Sequence, residues 1–368
     1  MRTMGKKHKL VYIIHDLGAG IGGAELACLS ALPSLNEHFD LRVYVLGRQN
    51  GMLMEGLDKR IVRRMKFYPS SVYTMLFSLP FLYASLRSFK PDIIISSLWR
   101  SALVGWLYKY MHSSTRYYLL VHSSEYFHWA DRLFTTRGMR ICDAVFADSQ
   151  ATAQFVSRVI GNKADIRVLS YLLDAPPNVA PPRQFMSTKR FLFVGRLNKV
   201  KQVPLAVKTI AALYAAGIDA ELHIYGRDDG DRINVERAIR KYKLQRRVVL
   251  KGELNPKDKT TVFTSYDYYI QLSAQEGMAM SVAEAMQYGA VCVVTPVGGI
   301  AQYAVDGYSA IFVDTADELA WGNSMQRVMS VVEDAEQCRA ISKAAFNTFR
   351  GAPVFADALI EAIDHNAG

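Results

Sequence analysis

Short apolar runs alternate with helix-patterned segments along the whole of this 368-residue chain, and that alternation constrains its fold more than any other feature. Apolar runs of four to six residues suit strands buried on both faces. Apolar residues at every third or fourth position mark helices with one buried face. Strand, helix, strand in succession specifies parallel α/β architecture, because a parallel pair needs the crossover that a helix supplies. In the first half the predicted strands are 10–15, 41–46, 92–96, 117–122, 144–147 and 166–169, with helices such as 24–35 and 151–160 between them. A second series follows, with strands 190–194, 221–225, 248–251, 268–272, 291–295 and 310–313 and helices 203–215, 233–242 and 282–288 among them. Between the two series stand Pro176, Pro177, Pro181 and Pro182, a run that neither a helix nor a central strand tolerates. The expected organisation is two doubly wound, Rossmann-like domains, 1–173 and 189–351, joined by a linker at 174–188, with the active site in the cleft between them.

Half of the residues are hydrophobic, enough for two ordinary cores. The run 10–14 after Lys6, Lys7 and Lys9 is shorter than the roughly 7–15 apolar residues of a signal peptide, so it reads as a first strand. The greasy stretch 72–86 contains Pro80 and falls short of the ~20 residues of a spanning helix, so no transmembrane segment is expected. Cys28, Cys142, Cys292 and Cys338 lie far apart and read as buried thiols of a cytoplasmic protein.

The net charge of +10 is concentrated at one end. Residues 1–178 hold 22 Lys and Arg against 13 Asp and Glu, so +9 of it lies there. Such asymmetry points to an anionic partner. Aromatic residues interleave with the cations in Lys59-Arg60-Ile-Val-Arg63-Arg64-Met-Lys66-Phe67-Tyr68 and around Trp106 and Lys109, which favours a membrane surface over nucleic acid. A core helix with solvated basic flanks explains the same pattern.

Arg196 and Lys201 follow the first strand of the second series, on a loop entering a helix, where a sheet edge and a helix N-terminus favour phosphate. Glu276 follows a strand, and Gly277 beside it permits close approach to a ligand. Glu284 has a second reading, since Ser281-x-x-Glu284 also spells a capping box. Gly18-Ala-Gly20-Ile-Gly22-Gly23 satisfies a dinucleotide fingerprint, with Arg48 placed to suit a 2′-phosphate. His15, Asp16 and Leu17 lengthen a turn that should be tight, which leaves an NADP-dependent oxidoreductase as an alternative.

Val194-Gly-Arg196-Leu, Lys201, Glu276-Gly-Met278-Ala279, Glu284-Ala-Met-Gln-Tyr-Gly289, Gly298-Gly299 and Asp306-Gly307 appear in an order that resembles the retaining GT-B glycosyltransferases of the family-4 type. Gly22-Gly23-Ala24-Glu25 resembles that family's first glycine loop. The resemblance runs over most of the chain. It implies the GT-B fold, with 1–173 on the acceptor side and a final helix at about 352–368 packing back on it. It also implies transfer of a sugar from a nucleotide diphosphate, a UDP-sugar foremost, to a lipid-linked or lipopolysaccharide-core glycan. Arg196 and Lys201 would then clamp the leaving diphosphate, Glu276 would bind donor-sugar hydroxyls and Glu284 the ribose. Amides at Gly22, Gly23, Gly277, Met278 and Ala279 would line the donor, and His122 would face its sugar. Glu125, His128 and Asp16 are weaker acceptor contacts, with His15 on the same wall. The chain departs from the family wording where Lys-Gly becomes Lys201-Gln202 and Glu-Gly-Phe-Gly becomes Glu276-Gly277-Met278-Ala279. Asp229-Gly-Asp231 imitates the metal-binding Asp-x-Asp of another glycosyltransferase fold but reads as a solvated turn. Neither a metal nor a cofactor beyond the nucleotide sugar is expected, and the site would work on the inner face of the cytoplasmic membrane. A non-catalytic nucleotide-sugar-binding protein is the further alternative.

Overall fold

The computed structural model describes residues 7–15, 17, 22–47, 57–68, 74–161, 165–175 and 177–365. The expectations for Asp16, Gly18, Gly20 and Arg48 lie outside the described residues. The chain divides into two compact units, 1–174 with 353–368, and 175–352.

In the first unit the strands are β1 (Lys9–Ile14), β2 (Asp40–Val45), β3 (Met65–Phe67), β4 (Ile93–Ser97), β5 (Arg116–Val121), β6 (Ala144–Ala147) and β7 (Asp165–Val168), and the helices are α1 (Gly23–His38), α2 (Lys59–Val62), α3 (Met75–Phe89), α4 (Trp99–Met111), α5 (Trp129–Ile141) and α6 (Gln150–Ile160). Among the described residues all seven strands pair in parallel in the order β3-β2-β1-β4-β5-β6-β7. Leu10 to Ile14, Ile93 to Ile95 and Ala144 to Ala147 are buried without alternation, as in a sheet covered on both faces.

The second unit holds β8 (Lys189–Val194), β9 (Ala220–Tyr225), β10 (Val248–Gly252), β11 (Tyr268–Gln271), β12 (Val291–Val294) and β13 (Ile311–Phe312), with helices α7 (Val203–Ala215), α8 (Arg232–Lys241), α9 (Lys259–Thr264), α10 (Met280–Gln287), α11 (Ile300–Tyr303), α12 (Glu318–Glu333) and α13 (Ala335–Thr348). Its strands are also parallel, in the order β10-β9-β8-β11-β12-β13. The last helix, α14 (Phe355–Asp364), belongs to the first unit. There the Phe355 amide donates to Leu172 O at 2.8 Å and its ring meets Tyr171 at 4.5 Å.

Two stretches differ from the reading above. The basic run 59–68 contains β3, a three-residue edge strand too short to show a period-two pattern, in which Met65 is the buried residue. The run 72–86 contributes to α3, which is neither wholly core nor wholly surface. Met75, Leu82, Leu86 and Phe89 are buried, whereas Phe77 and Phe81, one turn apart, are 77% and 72% exposed. No helix among the described residues is long and apolar enough to cross a membrane.

Candidate active site

In the second sheet the chain order reverses between β8 and β11, so the loops leaving these neighbours diverge and open a crevice at their carboxyl ends. Lys201 sits on the 3-10 turn Lys199–Lys201 after β8, with its amide donating to Asn198 Oδ1 at 3.1 Å. Glu276 sits on the loop after β11. The Ala274 amide, bonded to Val200 O at 2.8 Å, ties the two loops together. Across this crevice Lys201 Nζ reaches both oxygens of Glu276, at 2.7 Å from Oε1 and 2.9 Å from Oε2. The side chains are only 17% and 8% exposed, which sets this pair apart from ordinary surface ion pairs.

The glycines around this loop act by absence of bulk. At Gly298, with φ +58°, an added Cβ would collide with the carbonyl oxygens of Glu276 and Gly277. The Gly299 amide donates to Gly277 O at 2.6 Å. Helix α10 then starts from Ala279, whose φ of 57° is left-handed, a conformation that costs a residue with a Cβ about 1–2 kcal/mol. Gln202 is left-handed too, at φ 45°. The two positions at which this chain departs from the family's glycines are thus positions whose backbone favours glycine.

Helix α10 begins at Met280, so Ser281 lies inside it and is not the N-cap, which sets aside the capping-box reading. Ser281 Oγ instead donates to Gln271 Oε1 at 3.0 Å, and Glu284 pairs with Lys259 at 2.6 Å, both side chains being largely buried. Arg196 is half-exposed and pairs with Asp229 Oδ2 at 3.1 Å, an oxygen that also accepts from Asn198 Nδ2 at 3.0 Å. The Asp229-Gly-Asp231 segment is an exposed turn at Asp229 and Gly230, but both of its carboxylates are engaged and Asp231 is buried. Asp229 holds the arginine, and buried Asp231 accepts from Asn234 Nδ2 at 2.6 Å at the start of α8. Among the described residues no group of three or more His, Cys, Asp or Glu could hold a metal ion.

The first sheet reverses its order between β1 and β4, and functional candidates gather at that edge as well. His15, just after β1, accepts from Arg100 Nε at 2.7 Å, and Arg100 is a buried residue in the first turn of α4. Burial foremost, then the Arg100 charge, pulls the His15 pKa down to about 3. His122 follows β5, with Nε2 at 2.7 Å from Ser97 Oγ and its ring edge-on to Tyr171 at 5.3 Å. Burial pulls its pKa down to about 4, so it is a neutral imidazole at pH 7. His128 caps α5, with Nδ1 accepting from the Asp131 amide at 3.1 Å. Its ring is edge-on to Trp99 at 5.1 Å, and Trp99 in turn is edge-on to His15 at 5.8 Å. Glu125 is exposed, on a turn closed by Ser123. The Gly22 amide donates to Glu25 Oε2 at 3.0 Å, and Gly23 opens α1. Strand β1 ends at Ile14 and α1 begins at Gly23, a separation too long for the tight turn of a dinucleotide fingerprint.

Three neighbours of these residues escaped the sequence reading. Arg100 and Lys259 carried no spacing signal. Gln271 carried a faint one, as a polar residue ending an otherwise apolar strand.

The comparisons agree with this architecture. The family model described as Glycosyltransferase Family 4 matches residues 21–174, and that described as Glycosyl transferases group 1 matches residues 178–348, so the two account for most of the chain in sequence. The chain belongs to the GT-B glycosyltransferases of the family-4 type. It is 22% identical, over 279 residues, to a D-inositol 3-phosphate glycosyltransferase of Corynebacterium diphtheriae, a match covering 67% of this chain and 64% of that protein. The chain thus spans less than two thirds of the length of this curated relative. In fold it is similar to Anabaena Alr3699/HepE solved in complex with UDP-glucose, with a TM-score of 0.81 at 15% identity over 97% of this chain and 100% of that one. It is also similar to the lipopolysaccharide outer core galactosyltransferase WaaB, with a TM-score of 0.71 at 18% identity over 97% and 99%.

Proposed function

We propose that this chain transfers a hexosyl unit from a nucleotide diphosphate sugar, a UDP-sugar foremost, to a lipid-linked or lipopolysaccharide-core glycan, with retention at the anomeric carbon. The observation that carries the reading is the largely buried Lys201–Glu276 pair across the reversal point of the second sheet, a cation for phosphate beside a carboxylate for sugar hydroxyls. The solved complex of HepE with UDP-glucose and the role of WaaB as a lipopolysaccharide outer core galactosyltransferase support the donor and acceptor classes.

In this reading the bond between the anomeric carbon and the phosphate oxygen breaks while the acceptor oxygen attacks from the same face. The acceptor's proton passes to the departing phosphate. Arg196 and Lys201 stabilise the charge growing on that phosphate, as preorganised electrostatics require. Glu276 accepts from sugar hydroxyls and Glu284 from the ribose, with the amides of Gly22, Gly23, Gly277, Met278 and Ala279 around the donor. Neutral His122 offers the sugar a hydrogen bond without adding charge. Glu125, His128 and Asp16 are assigned to the acceptor. The reaction is proposed to need no metal or further cofactor, and to take place on an anionic, cytoplasmic-side membrane surface. Phe77 and Phe81 on α3 and the excess positive charge of the first half support that location.

The test is incubation with UDP-glucose, UDP-galactose, UDP-N-acetylglucosamine and GDP-mannose, scoring thermal shift and slow donor hydrolysis, with proton NMR reading the anomer first released. Stabilisation by one donor and initial release of the donor's own anomer are expected. No shift and no hydrolysis with any of the four would refute the reading, whereas NADPH binding would favour the oxidoreductase.

A further inference from the structure

We infer that Gln271 is the positioning residue that fixes Glu276 for the donor sugar. This inference rests on the nucleotide-sugar reading above. Gln271 is fully buried at the end of β11, where a side-chain amide is costly unless its groups are bonded. Among the described residues its side chain is bonded at both ends, and one of those ends holds the candidate site's carboxylate. Its Nε2 donates to Glu276 Oε1 at 2.7 Å, and its Oε1 takes the Ser281 hydroxyl at 3.0 Å and the Tyr269 hydroxyl at 2.8 Å. Burial pushes the Tyr269 pKa well up, so that hydroxyl keeps its proton. It also lies 3.1 Å from Val194 O, but one proton serves one acceptor at a time, and the shorter contact is to Gln271. A carboxylate on one side and two hydroxyl donors on the other leave the amide a single sensible orientation.

Glu276 therefore has two holders of different kinds. Lys201 is a long, flexible cation that a diphosphate would draw toward itself. Gln271 is neutral, short and clamped by two elements, its own strand and helix α10, so it keeps its grip on Oε1 whichever way Lys201 moves. Oε1 already receives both Gln271 and Lys201, whereas among the described residues Oε2 receives Lys201 alone, at 2.9 Å. Once the lysine turns to phosphate, Oε2 is the oxygen free to accept a sugar hydroxyl, held in place by the amide on its twin. A bidentate carboxylate so oriented loses little rotational freedom on binding, which is where its contribution to sugar affinity arises.

The experiment compares calorimetric affinities for UDP and for whichever of the four nucleotide sugars binds the wild type most tightly, because their ratio isolates the sugar contact. Gln271→Leu should leave UDP affinity within about twofold and weaken the nucleotide sugar about tenfold, the cost of a lost charge-assisted hydrogen bond. Gln271→Glu, nearly isosteric, supplies the control for folding. Two carboxyl groups this close share a proton, so the variant should regain sugar affinity as pH falls and its new acid donates as the amide did. A merely structural role would not produce that pH-dependent recovery. An unchanged UDP-sugar to UDP ratio in folded Gln271→Leu, or no recovery at low pH in Gln271→Glu, overturns the proposal. A wild type that binds no nucleotide sugar overturns the functional reading itself.

Discussion

Lys201 and Glu276, 75 residues apart in sequence, form a two-oxygen ion pair at 2.7 and 2.9 Å across the carboxyl ends of the two strands at which the second sheet reverses its order. Arg196, five residues earlier on the same loop, pairs instead with half-exposed Asp229. The two cations therefore answer mutation differently.

Arg196→Ala is expected to leave thermal stability nearly unchanged, within about 0.5 kcal/mol, because exposed ion pairs contribute little. Lys201→Ala leaves the buried Glu276 carboxylate with fewer donors and should cost about 1–3 kcal/mol. Both should lower kcat more than they weaken donor binding, since the charge they meet grows in the transition state. Denaturation midpoints and steady-state kinetics measured together decide it. Equal stability losses, or either variant with wild-type kcat, would contradict the assignment.

Much of this arrangement is legible in the sequence, and the failures have identifiable causes. The central strands show as unbroken apolar runs because both faces are covered, whereas β3 has three residues and no period to read. Glu276 and Lys201 are each legible from local wording, yet their pairing is long-range and leaves no spacing. Ser281-x-x-Glu284 misleads because a left-handed Ala279 starts the helix before Ser281. Gln202 and Ala279 are visible as departures from glycine, but the positive φ that makes them costly is a property of the folded backbone.

From that backbone follows a stability prediction. Ala279→Gly and Gln202→Gly should each raise stability by up to about 1 kcal/mol, as relief of left-handed strain outweighs the extra freedom of the unfolded chain. The effect should be larger at Gln202, whose buried Oε1 has no partner among the described residues. A lower melting temperature for both variants would show that the strain argument fails.

His122 supplies a pH dependence. Its pKa near 6.5 when unfolded falls to about 4 in the fold, so above pH 6.5 its neutral form is common to both states and stability is full. As pH falls from 6.5 toward 4 the unfolded chain binds a proton that the folded chain refuses, and stability declines before levelling below 4. The loss from His122 should be on the order of 1–3 kcal/mol, and His122→Gln should make that part of the curve shallower, leaving the slope that buried His15, pulled down to about 3, contributes over the same range. Parallel curves for wild type and variant would place the titration elsewhere.

For the proposed membrane surface, the exposed side chains shift weight from cations to aromatics. Arg60 pairs with Asp58 and Arg64 with Asp40, so the basic run is partly neutralised within the protein, whereas Phe77 and Phe81 point outward from α3. Phe77→Ser with Phe81→Ser should reduce co-sedimentation with phosphatidylglycerol vesicles at both low and high salt. Neutralising Arg60, Arg63, Arg64 and Lys66 together should reduce it chiefly at low salt, where surface attraction is least screened. Wild-type sedimentation of both variants would reject the membrane-facing assignment and leave the donor site untouched.

The central claim is that the carboxyl edge of the second sheet binds a nucleotide diphosphate, and Glu284 tests it most directly. Its carboxylate pairs with Lys259 rather than capping α10 through Ser281, and Glu284→Gln keeps the size and an acceptor while removing the charge. Calorimetric titration of UDP into wild type and Glu284→Gln should show binding to the wild type and an affinity about tenfold weaker in the variant, from the loss of a charge-assisted hydrogen bond to the ribose. Equal affinity in the two proteins, or no binding of UDP to the wild type, would contradict it.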